Sequence, residues 1–369
     1  MKKLIFLIPI FLMSCAEYKA RMAEETQNFI NRKVYFSDDN REFVSVSING
    51  ISHELFFDTG AGITLLYRPK FTVDQKKKIR EKSVYGFDKK TKIESFNYSA
   101  DSMQTSMFKV THKYLYVSPY RRNLCDGSVK TDGILGSFYE SDAMLELNYS
   151  EGYLQFTERL PEGDWMPLEA KFSDYTGKVY IRLNVNGTED FFLFDTGNKT
   201  MTMLNRKVFS GFEKGEYTIS SLTNTIGNTP VKIEMQINNA RFNLPGLSFD
   251  FPIGVDQTSE RSILNKALIS KFDWVFDRRN GKVYCRARDA QALTGKSFSI
   301  AMKPRLLADV HNDGLIISYR NFDTEYQVGD EIVSVNGKAI SQKNICEMKA
   351  LLNDSSDWSG LHVITAPRR

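Results

Sequence analysis

The chain carries one tripeptide twice, and each copy holds a carboxylate. Asp58-Thr59-Gly60 occurs again as Asp195-Thr196-Gly197, and each copy follows an apolar stretch, residues 55–57 and 192–194. Two carboxylates held about 3 Å apart cannot both ionise, so such a pair shares one proton. The pair then supplies a base that activates water and an acid that protonates a leaving amine. This is the chemistry of peptide bond hydrolysis without a metal ion or a covalent intermediate.

The repeat extends beyond the two triplets. An Asn-Gly pair precedes each of them, with its glycine eight residues before the aspartate, and an Ile-Leu pair follows at residues 134–135 and 263–264. A further glycine lies eighteen residues past each isoleucine, at Gly152 and Gly281. An isolated Asp-Thr-Gly is an ordinary turn sequence, but two copies with matched flanks indicate an internal repeat. Such a repeat defines the architectural unit, here one lobe per copy.

Local patterns predict how each lobe presents its carboxylate. Apolar and polar residues alternate over residues 44–48 and 181–185, which is the period of a half-buried strand. An Asn-Gly pair follows each stretch, and this dipeptide is the strongest short signal for a hairpin. The second strand of each hairpin then runs into Asp-Thr-Gly. Gly60 and Gly197 allow the close backbone approach that two such loops need in order to meet.

Together these motifs resemble the aspartic peptidases, specifically retropepsin-like peptidases fused in tandem, which approach the two-lobed pepsin plan. The resemblance covers residues 33–285. It implies an all-β fold of two β-barrel lobes, in which Asp58 and Asp195 are catalytic. It also implies that Thr59 and Thr196 interlock with the loop of the other lobe, and that residues 134–136 pass behind the first catalytic loop. The substrate implied is an extended polypeptide lying between the lobes, with no cofactor.

Three residues depart from the family pattern. Asn265 stands where the second lobe should have a glycine, and we expect its tolerance of left-handed backbone to make it a modest substitute. Ala61 and Asn198 follow the triplets, where many pepsins carry Ser or Thr and retropepsins often carry Ala. The two asparagines leave a second interpretation open, a catalytically inactive, peptidase-derived lipoprotein that binds peptides or proteins. The intact triplets favour the enzyme. A third arrangement, in which lobe one pairs with its copy in another chain, is made unnecessary by the fused second triplet.

Each lobe should also offer a flap over the cleft. In retropepsin-like peptidases the flap lies about as far after the aspartate as residues 84–87 do here, so Tyr85 and Gly86 are the flap candidates. The alternative is an ordinary exposed hairpin, because three lysines follow closely, at positions 89, 90 and 92. In lobe two, residues 224–228 are the corresponding stretch.

The N-terminus has the features of a bacterial lipoprotein signal. Two lysines precede an apolar run over residues 4–13, which is too short to span a bilayer. The run ends in Leu12-Met13-Ser14-Cys15, which resembles a lipobox and implies cleavage before Cys15 and acylation of its thiol. The alternative is an ordinary signal peptide. On the lipoprotein interpretation, residues 1–14 are the signal peptide and residues 15–32 are a polar tether or short helix. Ala16 is not the aspartate that retains some bacterial lipoproteins at the inner membrane, so the resemblance favours the outer membrane of the cell envelope. The sequence does not indicate which leaflet of that membrane would hold the anchor.

The last part of the chain, residues 298–369, falls outside the repeat. Its Gly329-Asp330 turn, the apolar stretch 332–335 and the Asn336-Gly337 turn resemble the PDZ family. The resemblance implies an α+β domain with a helix over residues 342–352, capped by Ser341. Such domains bind C-terminal or extended peptides by strand addition. Because the usual Gly-Leu-Gly-Phe loop is absent, a purely structural or docking role is an equal alternative to a peptide ligand.

The remaining residues exclude other classes of site. A net charge of +4 with 25% charged residues gives no basic patch for nucleic acid. The four histidines are scattered without metal-ligand spacing, so we expect no metal site. Apart from Cys15 three cysteines remain, and this odd number leaves at least one thiol free unless it pairs between chains. Buried structural cysteines are expected for most of them.

The repeat and the turn-rich stretch between its copies predict the domain boundaries. Lobe one covers residues 33–160 and lobe two covers residues 168–288, and the turn-rich stretch 161–167 joins them.

Overall fold

The protein is built mostly from β-strands. The computed structural model describes residues 24–37, 42–67, 69–85, 92–118, 125, 131–136, 143–174, 176–199, 201–209, 211–212, 215, 217–224, 230–256, 260–294, 303–311 and 313–367. Strands account for 53% of the structure and helices for 8%, and six strands close into a β-barrel. The predicted all-β class is thereby confirmed. Within these residues no helix has both the length and the apolar character needed to cross a membrane.

The first part of the chain forms an eight-stranded sheet and one strand outside it. The strands are β1 Glu25–Asn28, β2 Val34–Tyr35, β3 Phe43–Ile48, β4 Ile51–Phe57, β5 Leu65–Leu66, β6 Lys78–Tyr85, β7 Lys92–Gln104, β8 Phe108–Val117 and β9 Gly133–Leu135. The sheet order is β1-β8-β5-β9-β4-β3-β7-β6, and β2 lies elsewhere. A short 3-10 turn at Gln75–Lys77 precedes β6.

Part of the predicted tether belongs to this sheet. Strand β1 pairs antiparallel with β8, and the Glu24 carboxylate accepts hydrogen bonds from Lys113 Nζ (3.0 Å) and Tyr114 N (2.6 Å). Farther along, Ile30 bridges to Phe156. The polar composition of the segment suggested a solvated tether, but an edge strand needs few apolar residues because its partner supplies the backbone hydrogen bonds. Cys15 lies outside the described residues, so the lipid anchor stays a prediction.

The second part of the chain repeats the hairpin arrangement of the first. Its strands are β10 Met144–Asn148, β11 Tyr153–Thr157, β12 Met166–Phe172, β13 Val179–Val185, β14 Thr188–Phe194, β15 Thr202–Met203, β16 Tyr217–Asn224, β17 Pro230–Leu244, β18 Leu247–Asp256, β19 Ser262–Leu264, β20 Phe272–Asp277 and β21 Lys282–Ala287. Two short helices accompany them, α1 Lys266–Ile269 and α2 Ala290–Thr294.

The two predicted hairpins are present and equivalent. Strand β3 pairs with β4, and β13 with β14, across two-residue loops. Both residues of each loop have positive φ, at 51° and 81° for Asn49-Gly50 and at 50° and 84° for Asn186-Gly187. Such turns match the twist of a hairpin and favour Asn followed by Gly. The apolar residues of β3 and β13 face the core, where Val46 and Ile181 are fully buried.

A six-stranded antiparallel sheet joins the two halves. Its order is β2-β11-β10-β20-β21-β12, with Leu145 opposite Phe276 where the halves meet. The matched glycines Gly152 and Gly281 form the tight turns of its two hairpins, with φ of 72° and 61°. Aromatic rings pack behind it, and the Phe194 ring lies 4.9 Å from that of Trp274. The β10–β11 hairpin of the first half and the β20–β21 hairpin of the second half therefore lie in one shared sheet.

The C-terminal part has a core of its own. It comprises strands β22 Leu306–His311, β23 Gly314–Arg320, β24 Glu331–Val335, β25 Lys338–Ala339 and β26 Val363–Ala366, with helix α3 Ile345–Asp354. We call residues 303–367 the C-terminal module. The side chain of Trp358 is almost fully buried in its core. The predicted helix boundary was wrong, because residues 341–344 form a turn in which the Asn344 side chain accepts hydrogen bonds from Ser341.

The cysteines behave differently from expectation. Cys125 and Cys346 form a disulfide across 221 residues of chain, so only Cys285 is a free buried thiol among the described residues. The expectation that most of the three would be buried structural cysteines was wrong, because Cys125 is only partly buried and Cys346 is exposed. Two cysteines that distant in sequence carry no spacing signal, because their pairing depends on the packing of the C-terminal module against the first part of the chain.

Candidate active site

The two Asp-Thr-Gly triplets follow equivalent strands. Strand β4 ends at Phe57 and β14 ends at Phe194, and each has a parallel neighbour, β9 and β19. The Asp58 amide donates to the Leu135 carbonyl oxygen (3.0 Å) at the end of β9. The Ile-Leu elements of the sequence thus run beside the loops that carry the aspartates, as the family resemblance implied.

The two threonines bind each other's loop. Thr59 N donates to Thr196 Oγ1 (3.1 Å), and Thr196 N donates to Thr59 Oγ1 (3.0 Å). Each threonine hydroxyl also donates to the strand end of the other half. Thr59 donates to the Phe194 carbonyl and Thr196 to the Phe57 carbonyl, both at 2.8 Å. Both threonines are fully buried, so these bonds form away from water. The loops are therefore locked together by four reciprocal hydrogen bonds.

Glycine is required where the loops cross. A β-carbon at Gly60 would overlap the Asp195 carboxyl group, and one at Gly197 would lie 2.5 Å from Asp58 Oδ2. The two aspartate carboxyl groups lie close enough to interact, and each affects the pKa of the other. The structure therefore brings together all six residues of the triplets, although they are separated by more than a hundred positions in the chain.

Backbone amides hold one oxygen of each carboxylate. Asp58 Oδ1 accepts from Gly60 N (2.9 Å) and Ala61 N (3.0 Å), and Asp195 Oδ1 accepts from Asn198 N (3.1 Å). Burial outweighs these bonds and raises the pKa of Asp58 above its usual value. Burial, and next the charge of Asp58, raise the pKa of Asp195 to about 8. Two adjacent carboxyl groups in such surroundings retain one proton between them near neutral pH.

A lysine that the sequence analysis missed faces the pair. The positive charge of Lys178 lowers the pKa of both aspartates, while burial and then the charge of Arg261 lower the pKa of Lys178 itself. Its loop lies against the first triplet, because a β-carbon on Gly62 would come within 2.8 Å of Thr176 Cβ. Lys178 lies seventeen residues before Asp195, and Arg41 lies seventeen before Asp58. This matched pair of cations was the available signal, although Arg41 lies outside the described residues.

The departures from the family pattern have local explanations. Asn265 has φ of −96°, so its tolerance of left-handed backbone is not needed at this position. Its side chain caps α1 by accepting from Leu268 N (3.1 Å), and it accepts from the Thr202 hydroxyl (2.8 Å). The Asn198 side chain donates to the Met201 carbonyl (3.0 Å). Both asparagines therefore stabilise the second loop through hydrogen bonds.

The remaining predicted residues lie at or beyond the edge of what is described. Tyr85 is the last residue of β6, opposite Lys92 of β7, while Gly86 is outside the described residues. In the second half, β16 and β17 form a hairpin with Asn224 opposite Pro230, and residues 225–228 are outside the described part. Both flap assignments stay predictions. No three His, Cys, Asp or Glu side chains of the described residues come together as metal ligands.

The arrangement can carry out acid and base chemistry on one bound molecule. Two partly exposed carboxyl groups with raised pKa values lie together, and Lys178 adds a positive charge beside them. Comparison of the whole chain with protein-family models and with curated proteins finds no match. The functional argument therefore depends on the residues and geometry of the chain itself.

Proposed function

We propose that this chain is an aspartic endopeptidase of the retropepsin-like type, with Asp58 and Asp195 as its catalytic pair. The observation that carries the proposal is the close approach of the two triplets, in which each aspartate carboxyl group lies against the glycine of the other triplet and the reciprocal Thr59 and Thr196 hydrogen bonds hold the loops together. A simple repeat of a turn sequence would not bring two acidic groups together against their mutual repulsion. Perturbed titratable groups of this kind are typical of catalytic sites.

In the proposed mechanism the pair acts on one water molecule and one peptide bond. The ionised carboxylate takes a proton from water while the water oxygen attacks the peptide carbonyl carbon. The carbon–nitrogen bond then breaks, and the proton of the other carboxyl group passes to the leaving nitrogen. Two new termini result, a carboxyl group and an amine. The retained proton is shared by Asp58 and Asp195, so neither is assigned permanently as acid or base.

The proposed architecture is that of a two-lobed peptidase followed by a PDZ-like domain. The equivalent β3–β4 and β13–β14 hairpins and the sheet shared by both halves support the two lobes. The helix α3 and the β24–β25 hairpin support the PDZ-like assignment of the C-terminal module. The substrate would be an extended polypeptide between the lobes. Acylation at Cys15 would anchor the enzyme in the bacterial cell envelope, at the outer membrane.

The alternative of a catalytically inactive binding protein loses its main support. It was based on Asn198 and Asn265, and both side chains have hydrogen-bonding roles in the second loop that leave the aspartate in place. The backbone amide of Asn198 still donates to Asp195. An intact pair of carboxyl groups favours the enzyme over the inactive relative.

The test is cleavage of a mixed peptide library by the purified chain. Asp58→Asn and Asp195→Asn should each abolish cleavage, because an amide cannot take the proton of water and one carboxylate cannot act as both acid and base. The matched control is Asp250→Asn, which removes an exposed carboxylate that pairs with Arg241. Full activity of Asp195→Asn would show that the second lobe is not catalytic. No cleavage by the wild-type chain would favour the inactive alternative.

A further inference from the structure

The sheet of the C-terminal module continues into a hairpin of the second lobe. Strand β23 pairs antiparallel with β16, with Arg320 opposite Ser220 and Tyr319 opposite Ser221. Strand β16 is in turn paired along its whole length with β17. Ser220 and Ser221 are both buried, although a serine on the free edge of a hairpin would normally face water. The module therefore occupies the edge that the β16–β17 hairpin would otherwise expose.

Side chains are exchanged across this junction in both directions. Leu222 of β16 packs against the core of the module, which includes Leu306 and Trp358. Tyr319 of the module packs into the apolar cluster of the hairpin, which includes Ile219 and Met235. Because each side contributes an apolar side chain to the other's core, separating them would expose both cores to water.

The hairpin cluster also reaches the catalytic loop of the second lobe. Met201 belongs to the same cluster as Tyr319. The Met201 carbonyl accepts a hydrogen bond from the Asn198 side chain (3.0 Å), and Asn198 N donates to Asp195 Oδ1 (3.1 Å). A continuous series of contacts thus connects the C-terminal module with Asp195.

A covalent bond connects the module with the first lobe as well. The Cys125–Cys346 disulfide joins α3 of the module to the first half of the chain, with the two Cα atoms 5.1 Å apart. Cys125 also packs against the core of the module. The module therefore contacts the first lobe at one point and the second-lobe hairpin at another.

The opposite edge of the module is closed by its own chain. On β22, Ala308 N donates to Asn353 Oδ1 (2.8 Å), and Asn353 Nδ2 donates to the Ala308 carbonyl (3.1 Å). Leu306 N donates to the Ser356 carbonyl (2.7 Å), and Lys349 of α3 forms a salt bridge with Asp309 (2.6 Å). Strand addition of a peptide needs free backbone groups on the receiving edge. On the side of β22 that faces α3, Leu306 N and both backbone groups of Ala308 already have partners.

We propose that the C-terminal module is a brace within the chain, whose binding partner is the β16–β17 hairpin and not a separate peptide. Its β23 edge holds the hairpin, the disulfide holds the first lobe, and Asn353 closes the β22 edge. The catalytic consequence rests on the proposed function, because the hairpin bears the predicted second flap. A hairpin held in one position would keep its substrate contacts in place and would avoid the entropy cost of ordering them on binding.

Hydrogen exchange of the full-length chain tests the brace without any need for activity. Tyr319→Ala should speed exchange in residues 217–224 by about tenfold or more, because the opening of this segment no longer has to break the junction. Residues 43–57 should not change. Val333→Ala is the control, since it truncates an exposed apolar residue of the same module. A Cys125→Ser/Cys346→Ser variant should show the same direction of change, and reducing agent should mimic it in the wild type but not in that variant. Unchanged exchange in residues 217–224 in both variants would overturn the proposal.

Cleavage kinetics and peptide selection complete the test. The same two variants should lose about tenfold in kcat/KM, whereas Val333→Ala should match the wild type. If the wild-type chain cleaves nothing, the proposed function fails while the exchange result still decides the brace. In selection from a display library of short random peptides with free C-termini, the wild-type chain should enrich no peptide that binds at the β22 edge. Enrichment of a peptide that slows hydrogen exchange in residues 306–311 would contradict the claim that the β22 edge is closed to peptides.

Discussion

Lys266 and Glu42 form a buried ion pair between the two halves of the chain. Lys266 Nζ lies 2.6 Å from Glu42 Oε2, and the Glu42 side chain is only 1% exposed. The second carboxylate oxygen accepts a hydrogen bond from the Tyr149 hydroxyl (2.6 Å), and the Glu42 carbonyl accepts from Phe57 N. Lys266 follows the Asn265 cap of α1 directly. The pair therefore connects the end of β4, which leads into the first triplet, with α1, whose Lys266 amide donates to the Asn198 carbonyl of the second loop (2.8 Å).

Removing the lysine should destabilise the protein markedly. Lys266→Met leaves the Glu42 charge buried without its cation, which typically costs about 3 kcal/mol or more. Lys207→Met is the control, because Lys207 and Glu260 lie 3.7 Å apart with side chains 77% and 67% exposed. That change should cost less than about 0.5 kcal/mol. Urea unfolding of the two variants measures both, and equal stability of Lys266→Met and wild type would contradict the role of the pair.

The charge of Lys178 should set the pH range of cleavage. This lysine favours the ionised carboxylates and lowers the pKa of both aspartates. Lys178→Met should therefore raise both values and move the whole pH–rate profile to higher pH. Lys171→Met removes an exposed lysine of β12 and should leave the pH–rate profile unchanged. A Lys178→Met profile that overlays the wild type or moves to lower pH would rule out this effect.

A hydroxyl group added beside the first triplet should move the pH–rate profile to lower pH, the opposite of the change expected for Lys178→Met. The Ala61 amide already donates to Asp58 Oδ1 (3.0 Å), but its side chain has no donor. Ala61→Ser adds one, which favours the ionised carboxylate and lowers the pKa of Asp58. The pH–rate profile should move toward acid, whereas Ala61→Val, with added volume and no donor, should not move it that way. An unchanged or alkaline-shifted profile for Ala61→Ser would remove the argument.

The raised pKa of Asp195 should also make the free energy of unfolding depend on pH. Burial raises the pKa of Asp195 from 3.8 to about 8, so the folded state binds more protons than the unfolded state between these values. The free energy of unfolding should therefore fall as pH rises from about 4 to about 8. Asp195→Asn removes this contribution, and its stability should fall less over the same range. Urea unfolding at several pH values compares the two proteins, and parallel curves would contradict the shift.

The lipid anchor can be tested by acyl labelling in cells. Cys15→Ala removes the thiol that the lipobox presents, so the variant should lose the acyl label and no longer fractionate with membranes as a processed protein. Cys346→Ser is the control, because it removes a different cysteine and should keep the label. Unchanged labelling of Cys15→Ala would end the lipoprotein prediction.

The patterns that predicted the fold correctly are local ones. Alternation over residues 44–48 and 181–185 predicted buried strands, and three Asn-Gly pairs predicted hairpin turns that all have positive φ. These signals work because a strand's period of two and the backbone of a two-residue turn depend on residues next to one another. The helix after Ser341 was placed three residues early, because Asn344 competes for the start of the helix through its own hydrogen bonds.

The sequence by itself determined that two equivalent β-rich units each present an Asp-Thr-Gly loop, because all the residues needed to form that loop lie within a few positions of it. Only the tertiary structure decided what the loops meet. The approach of Lys178 to both aspartates, the Glu42–Lys266 pair and the Cys125–Cys346 disulfide join residues that no local pattern relates. Such contacts form when separately folded layers pack together, so their partners depend on the geometry of the whole molecule.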